Sequence, residues 1–80
     1  MSVGEVIRNR IIELCSLRGI SINRLCSMSG VTQSTVNNII SGRNHSTSVA
    51  TIKKLCDGLD ITLGDFFSTP EFDALEQEIR

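Results

Sequence analysis

A short run of uncharged polar residues carries the hydrogen-bonding groups whose chemical use is most evident in this chain. The side chains in question bear amides or hydroxyls: Gln33, Ser34, Asn37 and Asn38. At helical spacing they share an outer face without charge, whereas solvated helix faces are usually rich in Lys and Glu. Because Gln and Asn can bond adenine bidentately in the major groove of DNA, the run predicts a surface that reads base edges.

These residues lie on the second of two short helices predicted over residues 22–29 and 33–40. The helix ends are marked by hydroxyl caps and by glycines that suit a helix end: Ser21, Gly30, Thr32 and Gly42. The apolar positions expected to face inward are Leu25, Val31, Val36 and Ile39. Two short helices with a tight turn and a polar second helix indicate a helix-turn-helix, here residues 21–42.

The chain resembles the phage-repressor family of helix-turn-helix domains, the Cro-like or xenobiotic-response-element type of bacterial regulator. The resemblance covers residues 5–68 and depends on two stretches, ELCSLRGISINRLCSMSGVTQSTVNNIISGRN and TIKKLCDGLDITLGDFF. It implies an all-α fold, a compact five-helix bundle of the lambda-repressor-like DNA-binding type. It also implies that the helix over residues 33–40 enters the major groove of double-stranded DNA, and that the protein acts as a homodimer on DNA.

The same resemblance assigns roles to individual side chains. Gln33, Ser34 and Asn38 take the base-reading positions, with Asn37 as an auxiliary beside them. The residues expected at the DNA backbone lie near helix starts and in the loop that follows: Ser21, Asn23, Arg24, Thr32, Thr35, Arg43, Asn44, Ser46, Thr47 and Ser48. Helix starts suit this role because their free amides and the helix dipole attract anions.

Two of these assignments have simpler alternatives. Asn37 and Asn38 also fit an ordinary polar helix end, and Arg24 also fits a solvated arginine. Ile22 departs from the Gln or Glu that relatives often carry there, so a backbone amide rather than a side chain is expected to contact phosphate at this position.

Three further helices are predicted, over residues 3–18, 49–59 and 63–68, and Ser48 and Thr62 are expected to cap the last two. The first helix is expected to bury Val3, Val6, Ile7, Ile11, Ile12, Leu14, Cys15 and Leu17. The apolar stripe of the helix over residues 49–59 contains Val49, Ile52, Leu55, Cys56 and Leu59. One of the two adjacent aromatic residues, Phe66 or Phe67, is expected to fill the bottom of the bundle.

Pro70 is expected to end the DNA-binding domain, which then comprises residues 1–69. Residues 70–80 form an acidic C-terminal tail or a short helix, and a dimer contact or a frayed end are the further alternatives. Acidic groups are repelled by phosphate, so this segment should point away from DNA.

Charge is distributed unevenly along the chain, although the net charge is only −1. Residues 1–58 hold seven Arg or Lys and three acids, whereas residues 59–80 hold one Arg and six acids. This asymmetry favours polyanion binding by the first part, with ordinary surface scatter as the alternative. Arg8, Arg10 and Arg18 are expected near the exposed side of the first helix, and the resemblance implies that this helix sends basic groups to the DNA backbone.

Composition argues against several other classes of protein. No apolar run approaches the roughly 20 residues that span a bilayer, and the charged start MSVGEVIRNR favours a cytoplasmic location over secretion. Cys15, Cys26 and Cys56 are too scattered for a metal site and are expected to be reduced core thiols. His45 stands alone in a loop, so no metal or cofactor is expected.

The sequence favours a sequence-specific DNA-binding transcriptional regulator, a repressor acting by occlusion. The alternative is a protein-interaction module on the same fold, such as the antitoxin of a toxin–antitoxin pair or an anti-repressor. An enzyme is not expected, because no paired carboxylates, nucleophile–histidine arrangement or phosphate-cradling glycine loop is evident in the sequence. No small-molecule ligand is evident either.

Overall fold

The structure, a computed structural model, describes residues 2–42, 47–77 and 79. Its helices in chain order are α1 (Val3–Arg18), α2 (Ile22–Ser29), α3 (Gln33–Ile40), α4 (Val49–Leu59), α5 (Leu63–Phe67) and α6 (Pro70–Asp73). The described residues contain no strand. The predicted all-α helical bundle is therefore confirmed, with α6 as the short extra C-terminal helix.

Hydroxyl caps set the starts of the four helices from α2 to α5. In each cap the side-chain oxygen accepts a hydrogen bond from the backbone N–H three residues later, at 3.0–3.3 Å. The capping residues are Ser21, Thr32, Ser48 and Thr62. At α5 the Asp65 carboxylate also accepts from the Thr62 N–H at 3.3 Å, which completes a capping box. These starts agree with the sequence prediction because caps depend on neighbouring residues only.

The ends of α1 to α4 agree with the sequence prediction, and α5 ends at Phe67, one residue earlier than predicted. α3 ends at Ile40 with Ser41 as its cap, and Gly42 takes the left-handed conformation one residue later, with φ of 77°. α4 ends at Leu59, and its C-cap Asp60 is left-handed with φ of 57°. Asp tolerates this conformation better than most residues. Gly58 lies inside α4 and does not end the helix. A glycine is present there because α4 approaches α2 closely at this position.

The α2–α4 contact is the most extensive between any two described helices. A Cβ atom placed on Gly58 would lie 2.1 Å from Ser29 Oγ and 3.0 Å from Ser29 Cα. Glycine is therefore the residue that lets the two helices approach at this point.

The hydrophobic core is aliphatic, with thiols and one fully buried ring. Its members are Ile7, Ile11, Leu14, Cys15, Leu25, Cys26, Val36, Ile39, Ile52, Leu55, Cys56, Leu59 and Phe66. Val6 is also buried, and Val31 packs partly buried against the core at the turn between α2 and α3.

Four residues predicted for the core are instead exposed: Val3, Ile12, Leu17 and Val49. The buried stripe of α1 follows the three- and four-residue spacing of one helix face. Ile12 and Leu17 fall outside that stripe, and Leu17 is 74% exposed. Val49 is the first residue of α4, whose buried residues begin one turn later at Ile52.

Three aromatic rings pack together at the C-terminal end of the chain. Phe66 is fully buried, as predicted for one of the adjacent pair, and its ring centroid lies 4.9 Å from that of Phe67. Phe72 of α6 adds a third ring, 4.9 Å from Phe67. α6 also packs against α1.

Candidate nucleic-acid interface

α3 combines a buried underside with a polar outer face. Val36 is 0% exposed and Ile39 is buried, so the orientation of the helix about its axis is fixed by the core. Gln33, Ser34 and Asn37 are exposed on the other side. Asn38 is half-buried, so this amide is less accessible than the sequence predicts.

The start of α3 uses some of its hydroxyls in the fold. Thr32 Oγ1 accepts from the Thr35 N–H at 3.3 Å and lies 2.9 Å from Thr35 Oγ1. One of the two hydroxyls donates to the other, which leaves a single proton for an outside acceptor. Thr35 is half-buried, whereas Thr32 is exposed.

A shallow groove brings α2 and α3 together beside the turn. Its lining includes Asn23 and Ser27 from α2 and Thr32 and Gln33 from the start of α3. The base-reading candidate Gln33 thus shares one surface with two of the backbone candidates. Cys26 forms part of the same lining, and burial raises the pKa of its thiol, so that it stays uncharged at neutral pH.

The start of α2 is open to solvent. Ser21, Asn23 and Arg24 are all exposed, and Ser21 Oγ accepts from the Arg24 N–H at 3.0 Å. This hydroxyl keeps its own proton available for donation to an acceptor. The remaining amides of the first turn and the helix dipole favour an anion here.

The start of α4 repeats the arrangement at α3. Ser48 is exposed, accepts from the Thr51 N–H at 3.1 Å and lies 3.0 Å from Thr51 Oγ1. Thr47 is half-buried. The other expected contacts in this loop, Arg43, Asn44 and Ser46, lie outside the described residues, as does His45.

Two arginines that were expected to face DNA from α1 bond to the protein backbone instead. Arg8 Nε donates to the Ile40 carbonyl at 2.8 Å. Arg10 Nε donates to the Phe66 carbonyl and its Nη2 to the Asp65 carbonyl, each at 2.8 Å. Both side chains are partly buried by these contacts, and of the three arginines only Arg18 is exposed. The prediction that Arg8 and Arg10 send basic groups outward is therefore wrong.

Charge around the candidate interface is positive but sparse. Residues 14–56 contain no Asp or Glu. Lys53 pairs with Asp57, whose hydrogen bond raises the pKa of the lysine. Among the described residues of this stretch, Arg18, Arg24 and Lys54 are exposed cations that make no ion pair with another described residue. The interface therefore depends more on hydroxyls, amides and helix starts than on cations.

The sequence prediction omitted one polar residue of the groove. Ser27 lies four residues after Asn23, and that spacing on α2 would have placed both side chains on one face. Arg8 was misassigned because its carbonyl partner lies 32 positions away along the chain.

The described residues contain no group of three or more His, Cys, Asp or Glu placed to hold a metal ion. None of the described helices combines the length and apolar character that crossing a membrane requires.

Comparison with known proteins agrees with the helix-turn-helix arrangement of α2 and α3. Residues 10–71 match the family model of the Cro/C1-type HTH DNA-binding domain. The crystal structure of the prophage Lp1 protein 11 is similar, with a TM-score of 0.83 and 34% sequence identity over 94% of this chain and 100% of that chain. No match is found among curated proteins. The chain belongs to the Cro/C1-type helix-turn-helix DNA-binding family, which confirms the resemblance noted from its sequence.

Proposed function

We propose that this protein is a sequence-specific transcriptional regulator, a repressor, that places α3 in the major groove of double-stranded DNA. The observation that carries the proposal is the two-sided character of α3. Gln33, Ser34 and Asn37 are exposed above a fully buried Val36. Ser34 and Asn37 are mediocre helix formers and cost α3 some stability, and a role in binding explains their use on this face.

Base reading is assigned to four side chains: Gln33, Ser34, Asn37 and Asn38. Gln33 is the first residue of α3, and the N-terminal residues of such a helix contact base edges. Its amide can donate to and accept from one adenine at the same time. Asn38, which is half-buried, contributes from its exposed part.

Phosphate contacts are assigned to the three helix starts and the adjoining loop. The contributing residues are Ser21, Asn23, Arg24, Thr32, Thr35, Arg43, Asn44, Ser46, Thr47 and Ser48. Free N–H groups at the starts of α2 and α4 support this assignment, as do the exposed caps Ser21 and Ser48. These contacts supply most of the affinity and therefore make it sensitive to salt.

Regulation by this domain is proposed to occur through occlusion of a promoter by a homodimer. Two copies would bind half-sites about one helical turn apart. The protein would act in the cytoplasm, where bacterial and phage operators are found.

The proposal is tested by fluorescence anisotropy with two labelled duplexes, the DNA upstream of the protein's own gene and a scrambled duplex of equal composition. Specific binding at physiological salt is expected to be at least about 1,000-fold tighter than binding to the scrambled duplex. Both affinities should fall as salt is raised. Equal affinity for both duplexes, or none for either, with the folded protein would contradict the proposal for this operator region.

A protein-interaction module is the second candidate, because Arg8 and Arg10 donate inward and the C-terminal segment is acidic. Both features reduce the positive field available to DNA. An antitoxin or anti-repressor of this kind would co-purify with a protein partner while the same preparation retained no DNA. Retention of operator DNA by the isolated chain would favour the first candidate.

A further inference from the structure

The last turn of α3 requires partners for its carbonyl groups. The carbonyls of Asn38, Ile39 and Ile40 make no hydrogen bond to an amide four residues ahead within α3, as is general at helix ends. Ser41 Oγ donates to the Asn38 carbonyl at 3.4 Å, and the Gly42 N–H donates to the Ile39 carbonyl at 3.3 Å. The Ile40 carbonyl accepts from Arg8 Nε at 2.8 Å.

The bond from Arg8 differs from the other two in length and in origin. It is the shortest of the three, and its donor lies on α1 rather than in the chain that continues from α3. A guanidinium donor makes the bond charge-assisted, and a positive charge at a helix C-terminus also favours the helix dipole. Arg8 Nη1 donates in addition to Asn9 Oδ1 at 3.1 Å, which holds the guanidinium in place.

We infer that Arg8 is a positioning residue for the base-reading face of α3. Its bond to Ile40 joins the C-terminal end of α3 to α1 and so fixes the angle at which Asn37 and Asn38 are presented. The start of α3 is held separately, by the Thr32 cap and the buried Val36. The inference rests on the proposed function, and it assigns Arg8 to specificity rather than to phosphate binding.

The test uses three variants and two duplexes. Arg8→Met keeps most of the side-chain stem but removes the donor and the charge, and Arg8→Lys keeps a charge and a donor. Arg18→Met is the matched control, because it removes the same charge from an exposed residue of the same helix. Affinity is measured at two salt concentrations for the duplex from upstream of the protein's own gene, which serves as the preferred operator, and for the scrambled duplex.

We expect Arg8→Met to bind the preferred operator about tenfold more weakly than Arg18→Met does, the equivalent of one charge-assisted hydrogen bond. The two variants should bind the scrambled duplex alike and with the same salt dependence. Arg8→Lys should recover only part of the lost preference, because an ammonium group does not reproduce the planar guanidinium donor. If Arg8→Met proves unfolded, a loss of preference in Arg8→Lys that exceeds the loss in Arg18→Met supports the inference, and an unchanged preference overturns it.

Equal weakening on both duplexes would identify Arg8 as a phosphate contact and overturn the inference. So would behaviour of Arg8→Met that matches Arg18→Met throughout.

A DNA-free measurement separates failure of this inference from failure of the proposed function. Amide exchange at Ser41 and Gly42, which bond the carbonyls of Asn37 and Ile39, should be about tenfold faster in Arg8→Met than in Arg18→Met. Unchanged exchange would overturn the inference even if the protein binds DNA specifically. Faster exchange in a protein that binds all DNA alike would support the contact between α1 and α3 and reject only the proposed function.

Discussion

The helix-turn-helix region and the C-terminal region use polar residues in opposite ways. Residues 14–56 contain no acid, and hydroxyls and amides form the exposed groups of the candidate interface. Residues 57–80 contain seven acids and one arginine. The difference separates a surface that a polyanion can approach from one that repels it, within a domain whose net charge is only −1. Net charge alone is therefore a poor guide to nucleic-acid binding by a small domain.

The two regions also differ in packing. All three aromatic rings belong to α5 and α6, where they contact one another. The helix-turn-helix instead packs on aliphatic and thiol side chains and on the close approach of α2 to α4 at Gly58. The C-terminal region thus serves as support, and the helix-turn-helix carries the proposed recognition surface.

The largest effect is expected from removing the central ring of the support. Phe66→Ala should lower the free energy of unfolding by about 3–5 kcal/mol, because it leaves a cavity at a fully buried site. Phe67→Ala is the control and should cost less, because that ring is half-buried. Urea unfolding measures both variants. A loss for Phe66→Ala no larger than that for Phe67→Ala would mean that the rings do not support the bundle as described.

How far the sequence predicts this molecule depends on the range of each interaction. Helix starts such as Thr32 and Ser48 were predictable, because a cap and its amide lie three residues apart. The bonds that Arg8 and Arg10 make were not, since their carbonyl partners lie 32 to 56 positions away. In the sequence, Gly58 could be mistaken for a helix end. A glycine is required there because Ser29 lies close to it, and that proximity exists only in the folded chain.

The close approach of α2 to α4 gives the next largest effect. Gly58→Ala should cost about 1–3 kcal/mol of stability through overpacking against Ser29. Ser29→Ala alone should be neutral or stabilising, because Ser29 Oγ is buried without a hydrogen-bond partner among the described atoms. The double variant should recover part of the loss, as measured by urea unfolding. Strict additivity of the two substitutions would contradict a direct contact.

The charge contrast is tested by adding one carboxylate to each region. Asn37→Asp should weaken DNA binding at least about tenfold, since the new charge would face phosphates within a Debye length. Gln77→Glu is the matched control, an amide-to-carboxylate change at an exposed residue of the acidic region, and should alter binding less than about twofold. Fluorescence anisotropy at low salt measures both. Similar losses for the two variants would remove the proposed separation of the surfaces.

The smallest effect is expected from pH. Burial raises the pKa of the Cys15, Cys26 and Cys56 thiols above their ordinary value of 9.0. The unfolded chain therefore loses these protons first, and stability that is complete below about pH 9 should decline as the pH rises beyond it. Asp57 raises the pKa of Lys53 above 10.5, so any stability from this pair is present below that pH and is lost only as the pH rises above it. The urea midpoint should fall between pH 8 and pH 10, and it should fall less in Cys56→Ala. A midpoint that stayed constant or rose would show that burial of the thiols has no such effect.

Selection of bound duplexes from a random pool, performed with the wild-type protein and with Gln33→Ala, tests the assignment of α3 as the base-reading helix most directly. The wild-type protein should select a defined motif. Gln33→Ala should lose about tenfold or more of the preference at one or two base pairs and keep the remainder. An identical motif for both proteins, or no motif for the wild type, would contradict the assignment.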